Sequence, residues 1–117
     1  MTPTIVLKDK QPILSVGAAG GPTIISQTLL NIIDVLDYDL PLDKALGESR
    51  IHQQWSPDEL RVEKSLSTIV IDGLEERGHK IKLVNGLGIS QAVMRSADGK
   101  TFVGAADPRA SGTASGW

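Results

Sequence analysis

Pro12-Ile13-Leu14-Ser15-Val16-Gly17-Ala18-Ala19-Gly20-Gly21-Pro22-Thr23-Ile24-Ile25 is the stretch on which the fold turns. Its first half reads as a strand over 12–17, with proline tolerated only at the opening position. Its second half opens a helix. Pro22 suits the first helical position, where a missing N–H costs nothing. A strand therefore runs through Gly20-Gly21 straight into a helix.

Upstream, Thr4-Ile5-Val6-Leu7-Lys8 reads as a second strand, and the polar turn Asp9-Lys10-Gln11 makes the two a hairpin. Downstream, the spacing predicts a helix over 22–37. Gln27, Asn31 and Asp34 form a narrow polar stripe on it, and Ile24, Ile25, Leu29, Leu30, Ile32, Ile33, Val35 and Leu36 fill the other faces. A helix so apolar is expected to be buried against more than one neighbour. Asp34 and Asp37 stand at its unfavourable end for the macrodipole, and no carboxylate marks its start.

A short helix follows from about Asp39, ended by Gly47. Residues 50–55 read as extended, Ser56-Pro57-Asp58-Glu59 as one turn, and Leu60-Arg61-Val62-Glu63 as a strand. Ser67 is placed to cap a helix to Arg77, with Gly78 as its stop and Gly73 inside it costing about 1 kcal/mol relative to Ala. Strands are expected over 80–84, 90–95 and 101–106, the last two joined through Asp98-Gly99. The tail from Asp107 reads as irregular. The order ββ-α-α-β-α-βββ predicts an α+β fold with mostly antiparallel strands, in one domain without a linker.

The chain has 117 residues, 40% hydrophobic and 22% charged, with a formal charge of -2 and no cysteine. That length suits one domain or part of one, since domains usually hold roughly 100–150 residues. Collagen, coiled coil and a strongly disordered chain fit this composition poorly. The slightly acidic balance argues against nucleic acid as a partner. No apolar run reaches the roughly 20 residues of a membrane span. Met1-Thr2-Pro3-Thr4-Ile5-Val6 lacks the basic region of a signal peptide, and the compartment is left open. Without cysteine there is neither a disulfide framework nor a thiolate zinc site. The aromatics are only Tyr38, Trp55, Phe102 and Trp117, few for a self-sufficient core. Such a chain is equally natural as a portion of a larger sheet-and-helix body.

The glycine pair is the sharpest chemical feature. Paired glycines let the backbone approach a ligand and turn two N–H groups toward it, and the helix start behind them adds positive potential. That combination holds an oxyanion or a phosphate. A tight turn that merely needs glycine is the alternative. The pattern is not the dinucleotide G-x-G-x-x-G, and no Gly-Lys-Ser/Thr follows to make a phosphate-binding P-loop. His52 and His79 have no metal-site spacing, so no metal or cofactor is expected. His52 lies among Arg50, Gln53 and Gln54 and reads as part of a buried polar network. Asp34, Asp37, Asp39 and Asp43 read as a solvated helix end without calcium-loop spacing. No G-x-S-x-G elbow is present.

Thr2-Pro3-Thr4-Ile5-Val6, Gly20-Gly21 with Ile24-Ile25, and Arg50-Ile51-His52-Gln53-Gln54-Trp55-Ser56-Pro57-Asp58-Glu59-Leu60-Arg61-Val62-Glu63 together resemble γ-glutamyltransferases. Leu74-Glu75-Glu76-Arg77-Gly78-His79-Lys80 and Gly104-Ala105-Ala106-Asp107-Pro108-Arg109 extend the resemblance over essentially the whole chain. It implies the αββα sandwich of N-terminal-nucleophile hydrolases. It also implies an enzyme whose precursor cleaves itself, exposing a Thr that takes the γ-glutamyl group of glutathione and passes it to water, an amino acid or a peptide. This chain is similar to the C-terminal part of the small subunit. Gly20 and Gly21 match the family's paired oxyanion glycines, with Ala19 where the family usually has Pro and Pro22 where it usually has Ser. A second His common in the family is Gln53 here.

The resemblance places the catalytic Thr, the carboxylate for the substrate amino group and a serine pair upstream of this segment. The expectation is a truncated product, a misplaced start or an expressed piece, inactive alone. Its partners would be the rest of the small subunit, the large subunit and γ-glutamyl compounds such as glutathione. A non-catalytic module that binds a small anion or self-associates is the second reading.

Overall fold

The computed structural model describes residues 3–116. Met1, Thr2 and Trp117, which enter the resemblance and the aromatic count, lie outside the described residues. In chain order the elements are β1 (Thr4–Lys8), β2 (Gln11–Ala19), one 3-10 turn (Gly21–Thr23), α1 (Ile24–Leu36), α2 (Leu42–Gly47), β3 (Ile51–His52), β4 (Leu60–Glu63), α3 (Thr68–Glu76), β5 (Ile81–Val84), β6 (Ile89–Arg95) and β7 (Phe102–Ala106). They fall into two compact units, one built from residues up to Glu48 and from Gly88 onward, the other from Ser49–Leu87.

The first unit carries an antiparallel sheet in the order β1-β2-β6-β7. The hairpin between β1 and β2 turns on Asp9 and Lys10, both at positive φ (51° and 63°), which matches the twist of the flanking strands. Its register shifts between Val6 and Leu7, opposite Pro12, which is the second residue of β2 rather than its first and has no N–H for a ladder hydrogen bond. Alternate residues Leu14, Val16 and Ala18 of β2 are buried, and Leu14 and Val16 pack with Val35, Leu42, Ala45, Leu46, Ala92 and Ala105. Both α1 and α2 lie against this sheet.

The orientation of α1 departs from a reading by hydrophobicity alone. Gln27 and Asn31, from the polar stripe, are 0% and 2% exposed, whereas Ile25 and Leu29 are 72% and 56% exposed. Gln27 bonds Thr23, Ala19 and Ser90, whereas Asn31 Nδ2 is buried without a partner among the described residues. Asp34 departs from the solvated end expected for it and is half-buried.

In the second unit β3 pairs antiparallel with β4, and β4 pairs parallel with β5 through the α3 crossover. The parallel pair is the exception to the mostly antiparallel pattern, and a β-helix-β connection is what allows it. α3 ends as Gly78 takes φ 89°; Gly78 N–H donates to Glu75 O at 2.8 Å and His79 N–H to Leu74 O at 3.1 Å. The buried Glu63 carboxylate accepts from Arg50 N at 3.0 Å and Leu87 N at 2.7 Å. His52 is buried as the network reading expects, with Nε2 3.1 Å from Gln54 Oε1. Gln53 donates to Asp58 Oδ1 and Gln54 to the Ser56 carbonyl, both at 3.1 Å.

Candidate functional site

Strand β2 delivers the backbone to Gly20 and Gly21, and α1 leads away from them. Both glycines are exposed. Gly20 has φ 148° and ψ 26°, and a Cβ there would stand 2.7 Å from Thr23 Oγ1 and 2.9 Å from both Gln27 Nε2 and Gly88 Cα. Gly21 has φ 62° and open space where a Cβ would be. One glycine is thus required by close approach and the other by its left-handed backbone.

The carbonyls of this turn are occupied. Gly20 O accepts from Thr23 Oγ1 at 2.9 Å and Thr23 N at 3.4 Å, and Gly21 O accepts from the amide of Ile24. Among the described residues, no acceptor takes up the N–H of Gly20 or Gly21. No acidic side chain sits in the first turn behind them, so the positive end of the 13-residue α1 is not neutralised there.

Beneath the turn lies a buried polar knot. Gln27 Nε2 donates to Thr23 Oγ1 at 2.8 Å and to Ala19 O at 3.4 Å, and its Oε1 accepts from Ser90 Oγ at 3.2 Å. Ser90 N donates to Asp107 Oδ2 at 2.7 Å. Asp107 Oδ1 accepts from Arg109 N at 2.9 Å and Nη1 at 3.1 Å, and the guanidinium reaches Leu46 O at 2.9 Å and Glu48 O at 2.6 Å. The family-like Asp107-Pro108-Arg109 segment therefore ties the end of the sheet to the end of α2.

Gln27, Thr23, Gly88 and Ser90 were not singled out as site residues by sequence reasoning. Two signals were present: Thr23 and Gln27 stand one helical turn apart directly behind the glycines, and Gly88 immediately precedes a strand. His79 and Asp43 are exposed and His52 belongs to the other unit. Among the described residues, no group of three His, Cys, Asp or Glu is placed to hold a metal ion. Both hydroxyls near the turn, of Thr23 and Ser90, donate inward. Chemically the arrangement can stabilise negative charge.

A family model described as Gamma-glutamyltranspeptidase matches residues 1–117. The Glutathione hydrolase proenzyme of Escherichia coli is 42% identical over 109 residues, covering 93% of this chain and 19% of that protein. The chain thus spans about one fifth of the length of such relatives. Among solved structures, a mutant of Helicobacter pylori Gamma-Glutamyltranspeptidase superposes with a TM-score of 0.88 at 39% identity, over 94% of this chain and 61% of that one. A cephalosporin acylase from Bacillus halodurans superposes with a TM-score of 0.91 at 25% identity, over 98% of this chain and 22% of that one.

Proposed function

Because the chain belongs to the gamma-glutamyltranspeptidase family, we propose that it is the C-terminal part of the small subunit of a γ-glutamyl acyltransferase and contributes the oxyanion hole. The observation that carries this reading is the exposed glycine pair Gly20 and Gly21, whose amides have no acceptor among the described residues, just before α1. When a nucleophile attacks the γ-glutamyl carbonyl, its oxygen gains negative charge. Two preorganised N–H donors and a helix start stabilise that charge more than they stabilise the neutral ground state. The nucleophile and the groups that recognise the γ-glutamyl moiety of compounds such as glutathione come from other segments of the enzyme.

In the longer enzyme that carries this segment, Gly21→Ala strains the left-handed turn and swings one donor away. The expected loss in kcat approaches the roughly 10²–10³-fold typical of removing an oxyanion donor. An unchanged kcat removes the assignment. The 117-residue chain by itself is expected to release no p-nitroaniline from γ-glutamyl-p-nitroanilide above a Gly21 variant control; release above that control refutes its inactivity.

A non-catalytic, self-associating module is the second reading. It is favoured by the apolar residues that the first unit leaves exposed, Ile5 and Leu7 on β1 and Ile25 and Leu29 on α1. The family reading gives the same residues a different role, as the surface on which the rest of the small subunit and the large subunit pack.

A further inference from the structure

We infer that Gln27 is the positioning residue of the glycine turn: through its side-chain amide it fixes both peptide planes whose N–H groups form the oxyanion hole. The inference rests on the oxyanion reading of Gly20 and Gly21. A trans peptide unit is planar, and its C=O and N–H point in opposite directions. The N–H of Gly20 belongs to the same unit as the carbonyl of Ala19, and the N–H of Gly21 to the same unit as the carbonyl of Gly20. Anchoring those two carbonyls on one side therefore aims the two amides at the other.

Both anchors trace to Gln27. Its Nε2 donates to Ala19 O at 3.4 Å and to Thr23 Oγ1 at 2.8 Å, and Thr23 Oγ1 in turn donates to Gly20 O at 2.9 Å. The relay polarises in one direction, from the amide through the hydroxyl to the carbonyl. The Ala19 carbonyl can only accept, which fixes which end of the amide faces the turn, and Ser90 Oγ donates to Gln27 Oε1 at 3.2 Å. Gln27 is fully buried, so water does not compete for these bonds. Gly88 makes room for the amide, since a Cβ there would overlap Gln27 Nε2 and the Ala19 carbonyl.

The test uses the 117-residue chain labelled with ¹³C and ¹⁵N. Gln27→Leu, similar in size but without donors, should shift the carbonyl ¹³C resonances of both Ala19 and Gly20 and the amides of Gly20 and Gly21. Thr23→Val should move Gly20 carbonyl and Gly21 amide while leaving the Ala19 carbonyl in place. That selectivity is one a general packing defect does not produce. Unchanged Ala19 and Gly20 carbonyl shifts in folded Gln27→Leu overturn the inference; if that variant does not fold, an unmoved Gly20 carbonyl in Thr23→Val does so. In the longer enzyme, Gln27→Leu should lower kcat roughly tenfold at unchanged KM, less than outright loss of a donor. Carbonyl shifts that move while kcat is unchanged in both Gln27→Leu and Gly21→Ala leave the bracing standing and remove the oxyanion reading. A kcat lost in Gly21→Ala but kept in Gln27→Leu removes the positioning role alone.

Discussion

At the scale of single residues, the glycines divide by what surrounds them. Gly88 has φ 73° and its missing Cβ leaves space that Gln27 and the Ala19 carbonyl fill. Gly88→Ala should cost more than about 2 kcal/mol, as overpacking adds to backbone strain. Gly17 has nothing within 4 Å of an added Cβ. Gly17→Ala should instead stabilise the isolated chain by about 0.4–1 kcal/mol through the unfolded state. Urea denaturation midpoints of the two variants, moving in opposite directions, check both. Asp34 makes a further case. Burial, and then the charge of Glu48, raise its carboxyl above the ordinary value. The folded state thus holds that proton more tightly than the unfolded one. Stability from this group is therefore present in acid and is lost as pH rises through the raised value. Asp34→Asn should flatten the pH dependence of Tm in the weakly acidic range and raise stability near neutrality by no more than about 0.5 kcal/mol. The turn at Gly20 and Gly21 was legible in the sequence because a glycine pair between a strand and a helix is a local pattern. Gln27 was not, because its partners Ala19 and Ser90 are defined only by the fold.

Among the elements, α2 shows how a distant segment finishes a helix. Its last carbonyls would lack partners, and Arg109 reaches Leu46 O and the following Glu48 O while paired to the buried Asp107. Arg109→Met removes those caps and leaves the Asp107 carboxylate in the interior without its counter-charge. The expected cost is about 3–5 kcal/mol, read as a fall in Tm and in the denaturation midpoint. The hairpin of β1 and β2, the stop of α3 at Gly78 and the return of β6 into β7 were readable from turn residues and alternation. The parallel pairing of β4 with β5 had its signal in the β-helix-β order, not in the strands' own residues, which at this length do not distinguish a parallel from an antiparallel neighbour. Of residues 50–55 only Ile51–His52 form a strand, and at Trp55 the chain leaves the extended region at φ 70°.

For the molecule as a whole, the first unit covers one face of its sheet with α1 and α2, and Ile5, Leu7, Val93 and Phe102 remain exposed on other surfaces. Few aromatics were the composition's hint of a larger body. The pair Ile25→Glu and Leu29→Lys, at positions already exposed, should reduce any association of the isolated chain seen by light scattering while leaving its Tm within a few degrees. In the longer enzyme proposed above, the same pair should impair assembly of the subunits, which co-purification reads directly. Unaltered assembly would remove that face from the interface.

The sequence by itself determined the order of most strands and helices, where the chain must turn on glycine, and that a helix follows that turn. These depend on backbone sterics and on periodicity within a few residues. Only the tertiary structure decided which side of α1 faces inward and which way the two glycine peptides point. Those depend on partners such as Gln27 and Ser90, which stand 63 positions apart. A side chain's local surroundings in the sequence carry no information about a hydrogen bond that forms only when the sheet closes beneath it.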